Sequence, residues 1–294
     1  MARLTVHAPE GLKADRLLIR VLTAAAYALV VVACIWFARV PGLPWLNPHD
    51  PLVLGLLMSI MAGFAAAEFY AMERRESRLP NEKFGIVAAV LMPLAAAVWG
   101  LSGLSSTVTA LIGASLIWHV VFIRVRTTDT ATTVFGAVYT GFLLAYLVLV
   151  VRNFTHGREL TLALVLGVWA NDSLAYLIGS TFGHHKMMPR ISPKKSWEGF
   201  IAGAFGTIAI WVALALAFPQ VGVSLPMAIL IGVLVGGTVV IGDLFESRMK
   251  REAGVKDSGW ALPGHGGFLD RLDSLILVGL IAYWTMWWGG VPHL

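Results

Sequence analysis

Residues 225–241 read LPMAILIGVLVGGTVVI, an apolar segment without a charged side chain. A helix needs about 20 mainly apolar residues to cross the roughly 30 Å hydrocarbon core of a bilayer, so this segment predicts a membrane-spanning helix. The whole chain has the same character, since 57% of its 294 residues are hydrophobic, 13% are charged and the mean hydropathy is +0.76. Soluble globular domains carry about 25% charged residues, so the composition excludes that class.

Segments of this kind recur and predict an all-α polytopic integral membrane protein with about nine transmembrane helices. They lie at residues 21–37, 52–70, 84–99, 108–123, 134–151, 162–180, 199–218, 225–241 and 275–288. The first five spans form an amino-terminal half, residues 1–159, and the last four form a carboxy-terminal half, residues 160–294. We expect the two halves to make one integrated domain.

The distribution of Lys and Arg predicts the orientation, because these residues concentrate in cytoplasmic loops. With the N-terminus inside and the C-terminus outside, 19 of the 22 basic residues lie in inside segments. The net charge of +5 therefore reflects orientation and gives no reason to expect a nucleic-acid partner. The single cysteine, Cys34, excludes an intrachain disulfide. The compact length favours a multi-pass protein of a bacterial inner (plasma) membrane.

Asp172 is a carboxylate in the middle of the sixth predicted span. On insertion scales such a charge costs roughly 2.5 to 3.5 kcal/mol, so it needs a partner or a function. One interpretation is structural, with Asp172, Asn171 and Ser173 hydrogen-bonding between helices. The other places Asp172 in the wall of a polar site.

The next inside loop, residues 183–199, reads GHHKMMPRISPKKSWEG and concentrates positive charge. Ser196, followed by Glu198, predicts the start of the seventh helix, whose free N–H groups would lie beside Lys194 and Lys195. That arrangement suits a phosphate group. Basic residues at this place also fit the positive-inside rule and contact with lipid headgroups, so both interpretations stay open.

The densest polar cluster follows the eighth predicted span. If that helix continues, one face carries a polar stripe made of Asp243, Glu246, Ser247, Lys250 and Arg251. A PGHGG turn at residues 263–267 allows close backbone approach to a ligand, and Asp270 and Asp273 then begin the last helix one turn apart. Carboxylates from two helices with basic residues between them suit a Mg²⁺-bound polyphosphate.

Glu68 is a further acidic residue, at the inside end of the second predicted span. Its neighbours Glu73, Arg74 and Arg75 favour an interfacial position, where charged side chains reach the headgroups. A buried functional role is the alternative.

These motifs resemble the signature of the phosphatidate cytidylyltransferases, also called CDP-diacylglycerol synthases. Residues 247–273 match that signature at all 27 positions, and residues 169–176, 182–183 and 192–199 are similar to earlier blocks in the same order. The resemblance implies transfer of CMP from CTP to phosphatidic acid, which gives CDP-diacylglycerol and pyrophosphate for phospholipid synthesis. It implies a divalent metal, Mg²⁺, as cofactor and membrane lipid as a partner, and whether a second metal ion binds stays open. The charge-based topology predicts that the active site faces the cytoplasm. A homodimer is a further partner to test.

On this resemblance we assign roles to individual residues. The metal ligands would be Asp243, Asp270 and Asp273. The catalytic residues, most of which would neutralise the triphosphate, would be Lys250, Arg251, Lys256, Asp257, His265 and Arg271. The substrate-binding residues would be Asp172, Ser192, Lys194, Lys195, Ser196, Glu198, Ser247, Gly266 and Gly267. Which of these hold CTP and which hold phosphatidate stays open.

Other functions compete with this one. The nearest is a CTP-dependent enzyme that acts on an isoprenoid phosphate or an ether-lipid phosphate, because the loops do not encode the lipid chain. A transporter could use Asp172 and Asp243 as an intramembrane ion site. An inactive scaffold is a third alternative, although every acidic position of the signature is present.

Overall fold

The computed structural model describes residues 25–26, 28–36, 51–76, 78–259 and 266–294. Residues 28–36 are helical and belong to the first predicted span, the rest of which lies mostly outside the described residues. The elements that follow are α1 (Leu52–Arg75), α2 (Glu82–Val121), α3 (Thr127–Ala137), a π-helical turn (Val138–Phe142), α4 (Leu143–Asn153), α5 (Gly157–Phe182), β1 (Lys186–Met188), β2 (Ser192–Ser196), α6 (Trp197–Ala217), a 3-10 turn (Pro219–Val221), α7 (Leu225–Glu252) and α8 (Leu269–Trp288).

Helices make up nearly all of this architecture, as predicted for a membrane protein. Among the described residues, six helical segments are long and apolar enough to cross a membrane. They are Leu52–Arg75, Glu82–Val121, Thr127–Asn153, Gly157–Phe182, Trp197–Ala217 and Leu225–Glu252. Helix α8 contains the ninth predicted span but is not one of these six. The count of nine crossings and the sidedness stay predictions.

Helix α2 contains both the third and the fourth predicted spans. Gly100 interrupts it with φ 65° and ψ −145°, angles that are unfavourable for a residue with a side chain. A straight helix of 40 residues would be about 60 Å long. Yet the Leu79 N–H, just before α2, donates to Asp129 Oδ1 at 2.8 Å, and His119 Nδ1, near the end of α2, lies 3.0 Å from Thr130 Oγ1. Because Asp129 and Thr130 are adjacent, the two ends of α2 lie close together. The chain therefore turns back at Gly100, as two separate spans require.

Helices α5 to α8 pack together through small and polar residues. Asn171 is buried on α5 and donates from Nδ2 to the Thr207 hydroxyl of α6 at 3.0 Å. Gly242 allows α7 to approach α8 so closely that a methyl group there would overlap the Asp273 carbonyl. Small residues commonly permit such approaches between membrane helices. The close approach at Gly242 brings Asp243 beside Asp273.

The apolar core lies between the two halves of the chain, where α4 packs on α8. Tyr283 stacks on Trp287 with ring centroids 5.9 Å apart, and both rings pack edge-on against Phe154. Trp288, the last residue of α8, is 79% exposed.

A short β-hairpin departs from the predicted all-α fold. Strands β1 and β2 pair antiparallel, with Lys186 opposite Ser196 and Met188 opposite Ser192. The predicted helix start is confirmed, since the Ser196 hydroxyl accepts a hydrogen bond from the Gly199 N–H at 3.3 Å and caps α6. The hairpin fixes the lysine-rich segment immediately before that cap.

Candidate active site

A cavity of about 820 Å³ lies among α5, the hairpin, α6, α7 and α8. It is the place where the separate sequence motifs converge. The predicted site residues that line it are Asp172, Lys194, Lys195, Ser196, Asp243, Lys250, Asp257, Asp270, Arg271 and Asp273. Its apolar wall includes Tyr176, Phe200, Val239 and Val240.

Three carboxylates form the acidic centre of the site. Asp243 and Glu246 come from α7 and Asp273 from α8, and one oxygen of each lies within 4.8 Å of the others. Glu246 is fully buried, and no hydrogen bond of regular geometry reaches either of its carboxylate oxygens. Oxygen ligands grouped in this way fit a hard divalent cation.

Lys250 balances part of this negative charge. Its ammonium group lies 2.5 Å from Glu246 Oε2 and 2.6 Å from Asp270 Oδ1, so it joins α7 to α8. Only 12% of the Lys250 side chain is exposed. Burial without these two carboxylates would be costly for an ammonium group.

Lys195 provides a second positive charge, from the hairpin. Its ammonium group lies 2.7 Å from Asp243 Oδ2 and donates to the Val240 carbonyl at 3.4 Å. Lys194, the adjacent residue, also lines the cavity. The hairpin thus places Lys195 at the carboxylate centre and Lys194 in the wall of the same cavity.

Asp270, which we also predicted as a metal ligand, is held by several hydrogen bonds. Besides Lys250, its carboxylate accepts hydrogen bonds from the Ser258 N–H at 3.0 Å, the Ser258 hydroxyl at 2.9 Å and the Gly267 N–H at 2.8 Å. It does not belong to the three-carboxylate group, whose third member is Glu246. The contacts of Asp270 order the loop before α8.

The remaining substrate-binding candidates lie outside the cavity lining. Glu198 accepts hydrogen bonds from the His185 N–H at 3.1 Å and its Nδ1 at 2.6 Å, which ties the hairpin to α6. Ser247 donates to Asp243 at 3.1 Å, behind the carboxylate centre. Ser192 pairs with Met188 in the hairpin. These three residues support lining residues rather than line the cavity themselves.

The other catalytic candidates, and the substrate-binding candidates Gly266 and Gly267, lie at the end of α7 or in the loop that follows it. Arg251 donates to the Val255 carbonyl at 3.2 Å, and Lys256 is exposed. Gly266 has φ 81°, and Gly267 donates to Asp270. His265 lies outside the described residues. Of this loop, Asp257 is the predicted residue that reaches the cavity wall.

Sequence reasoning missed two acidic residues. Glu246 belongs to the predicted polar stripe, and its spacing of three residues from Asp243 puts both on one helix face. It is not one of the predicted metal ligands. Glu68 was interpreted as interfacial. In the structure it contacts Ser258, Phe268 and Leu269, all near the site.

The fold and site together define a class: a helical membrane protein with a carboxylate centre and lysines in a cavity formed by helix ends. Comparison of the sequence with known protein families identifies the family. Residues 18–288 match the cytidylyltransferase family, and the chain belongs to it.

Three relatives illustrate the similarity. Phosphatidate cytidylyltransferase 4, chloroplastic, of Arabidopsis thaliana is 49% identical over 45% of this chain and 33% of its own length. The phosphatidate cytidylyltransferase of Mycobacterium leprae is 39% identical over 54% of this chain and 49% of its own. The chain thus spans a third to a half of these two relatives. The phosphatidate cytidylyltransferase of Thermotoga maritima is 31% identical over 92% of this chain and 96% of its own.

Proposed function

We propose that this protein transfers the cytidylyl group of CTP to phosphatidic acid and forms CDP-diacylglycerol and pyrophosphate. One observation carries the proposal. A single cavity contains a carboxylate centre suited to a divalent cation, lysines suited to phosphate, and an apolar wall on helices long enough to span a membrane. The family and the names of the relatives support the same reaction.

In this reaction, an oxygen of the phosphatidate phosphate attacks the α-phosphorus of CTP. A new phosphorus–oxygen bond forms, the bond from the α-phosphorus to the bridging oxygen of the β-phosphate breaks, and pyrophosphate leaves. The nucleophile is already an anion, so the site needs no side chain to remove a proton. Catalysis then consists of alignment and of stabilising the charge on the phosphates.

The carboxylate centre fits a Mg²⁺ ion. We propose Asp243, Glu246 and Asp273 as its ligands, because the burial of Glu246 between two other carboxylates calls for a compensating cation. When bound, the ion would supply Lewis-acid stabilisation of phosphate oxygens. We propose that Asp270 instead holds Lys250 and the loop at Ser258. Metal binding by Asp270 stays a prediction from the sequence.

The basic residues would bind the phosphate groups. Lys195 and Lys250 are held in place by carboxylates, so their positive charges are already oriented toward the cavity. Lys194 and Arg271 line the same space and would complete the anion site. Such preorganised charge is worth more in a partly dry cavity than in water.

The apolar wall would face the diacyl substrate. Tyr176 lies one helical turn from Asp172 on α5 and is 78% exposed, so the cavity is bordered by a surface suited to lipid. We propose that the site opens to the cytoplasm, where CTP is dissolved, and to the inner leaflet. A bacterial inner membrane and a homodimer stay predictions.

The test is an assay of purified protein in detergent with radiolabelled CTP and phosphatidic acid, with Mg²⁺ or with EDTA. We expect label in a lipid product only with Mg²⁺. Polyprenyl phosphate and an ether-linked phosphatidate replace phosphatidic acid in parallel reactions. No labelled lipid from phosphatidic acid, or faster labelling of polyprenyl phosphate, would overturn the proposal.

A further inference from the structure

Glu68 on α1 contacts the loop and helix that carry the site, about 200 residues further along the chain. Its Oε1 accepts from the Phe268 N–H at 3.0 Å, and its Oε2 accepts from the Leu269 N–H at 2.8 Å. The same Oε2 lies 3.0 Å from the Ser258 hydroxyl, whose single hydrogen is shared between Glu68 and Asp270. One carboxylate thus joins α1, the loop after α7 and the first turn of α8.

Helix α8 needs this partner because its own N-cap residue provides none. Phe268 occupies the cap position, and no side chain of the cap bonds to the first turn. The free N–H groups of a helix start carry partial positive charge, which a carboxylate stabilises. Glu68 supplies from another helix the acceptor that a local Ser or Asp would ordinarily supply.

Packing around Glu68 supports a specific fit. Phe64, one turn earlier on α1, stacks on Phe268 with ring centroids 4.6 Å apart. Gly259 and Gly267 both face the Glu68 carboxylate, and a methyl group at either position would overlap it. A side chain at either position would therefore force the Glu68 carboxylate to move away from its present hydrogen-bond donors.

The anchored segment continues directly into the site. Ser258 and Gly267, which contact or face Glu68, also donate hydrogen bonds to Asp270. Asp270 pairs with Lys250, and Asp273 lies one turn further along α8 in the carboxylate centre. A shift of the first turn of α8 would displace Asp270 and Asp273 and would disturb the ion pair between Asp270 and Lys250.

We propose that Glu68 is a positioning residue for cytidylyl transfer: it fixes the first turn of α8 and thereby the placement of Asp270 and Asp273. The inference rests on the proposed function. It also gives the amino-terminal half a part in the chemistry, although no residue of that half lines the cavity in the described part of the chain.

The experiment compares Glu68→Gln with Glu76→Gln. Glu76 is an exposed residue at the end of the same helix, so it serves as the matched control. Amide hydrogen exchange measured by mass spectrometry on the purified proteins reports the anchor without reference to activity. We expect residues 266–275 to exchange at least about tenfold faster in Glu68→Gln, while peptides from α5 and α6 stay unchanged.

Kinetics separate positioning from simple loss of structure. A misplacement of about 1 Å can cost about 100-fold in rate, so we expect kcat to fall by about 10- to 100-fold. We also expect the half-saturating Mg²⁺ concentration to rise at least about threefold, because Asp273 moves relative to Asp243. Partial unfolding would lower kcat but leave that concentration unchanged.

If Glu68→Gln does not fold, Glu68→Asp takes its place. It keeps the charge, but its side chain is one methylene too short to reach all three donors. We then expect smaller changes in amide exchange, in kcat and in the half-saturating Mg²⁺ concentration. Unchanged exchange at residues 266–275 would overturn the proposal, as would kinetics equal to those of Glu76→Gln or a fall in kcat with an unaltered Mg²⁺ dependence. An inactive wild-type protein would instead contradict the proposed function, and the exchange result would still test the anchor.

Discussion

The ammonium group of Lys195 lies 2.7 Å from the carboxylate of Asp243 and joins the hairpin to α7. This ion pair links the segment that we assign to phosphate binding with the segment that we assign to the metal. We expect Lys195→Met to lower CDP-diacylglycerol formation by about 100-fold, because the variant loses a preorganised charge. The measurement is the initial rate at saturating Mg²⁺. Arg248→Met, which removes an exposed charge on α7, is the control and should retain activity.

Glu246 and Asp270 should differ in their effects on metal dependence. We expect Glu246→Gln to raise the half-saturating Mg²⁺ concentration at least about tenfold, since a neutral amide binds a hard cation more weakly than a carboxylate does. Asp270→Asn should change that concentration by less than about threefold and lower thermal stability instead, because its carboxylate holds Lys250 and Ser258. A Mg²⁺ titration of both variants checks this. A larger shift for Asp270→Asn would restore Asp270 as the ligand.

Lys250 should be important for stability as well as for activity. Replacing it with Met leaves the fully buried Glu246 without its cation, and breaking a buried pair in this way costs about 3 to 5 kcal/mol. We expect a large loss in unfolding free energy in detergent, measured by denaturant titration. The double variant with Glu246→Gln should recover part of that loss. If the two single losses simply add, the pair is not coupled as described.

Gly100 should be required for the reversal of α2. We expect Gly100→Ala to destabilise the protein by about 1 to 3 kcal/mol, because its backbone angles are costly for a residue with a side chain. Gly113→Ala is the matched control, in the same helix at a position with open space for a methyl group. It should be neutral or stabilising by up to about 1 kcal/mol. Equal thermal stability of the two variants would contradict the role of Gly100.

The helical architecture could be predicted because apolar length alone determines which segments suit a bilayer. The separation of the third and fourth spans was also predicted, although the structure places both in α2, with Gly100 as the turning point. The hairpin was not predicted, since strands of three and five residues rich in Lys and Pro have no alternating pattern. Pairing across such short strands becomes visible only in three dimensions.

The site could be predicted in outline because its motifs are local: Asp243 and Lys250 share one helix face, and Asp270 and Asp273 share another. Which of these carboxylates come together in space could not be predicted from the sequence. Spacing shows that Asp243 and Glu246 point the same way, but the approach of α8 at Gly242 determines which carboxylates meet. The contacts of Glu68 could not be predicted, because its partners are about 200 residues away along the chain.

The carboxylate centre draws Asp243 and Glu246 from α7 and Asp273 from α8, and these helices follow one another along the chain. Neither helix alone brings three carboxylates together, so the centre that we propose as the Mg²⁺ site exists only when α7 and α8 are packed against each other.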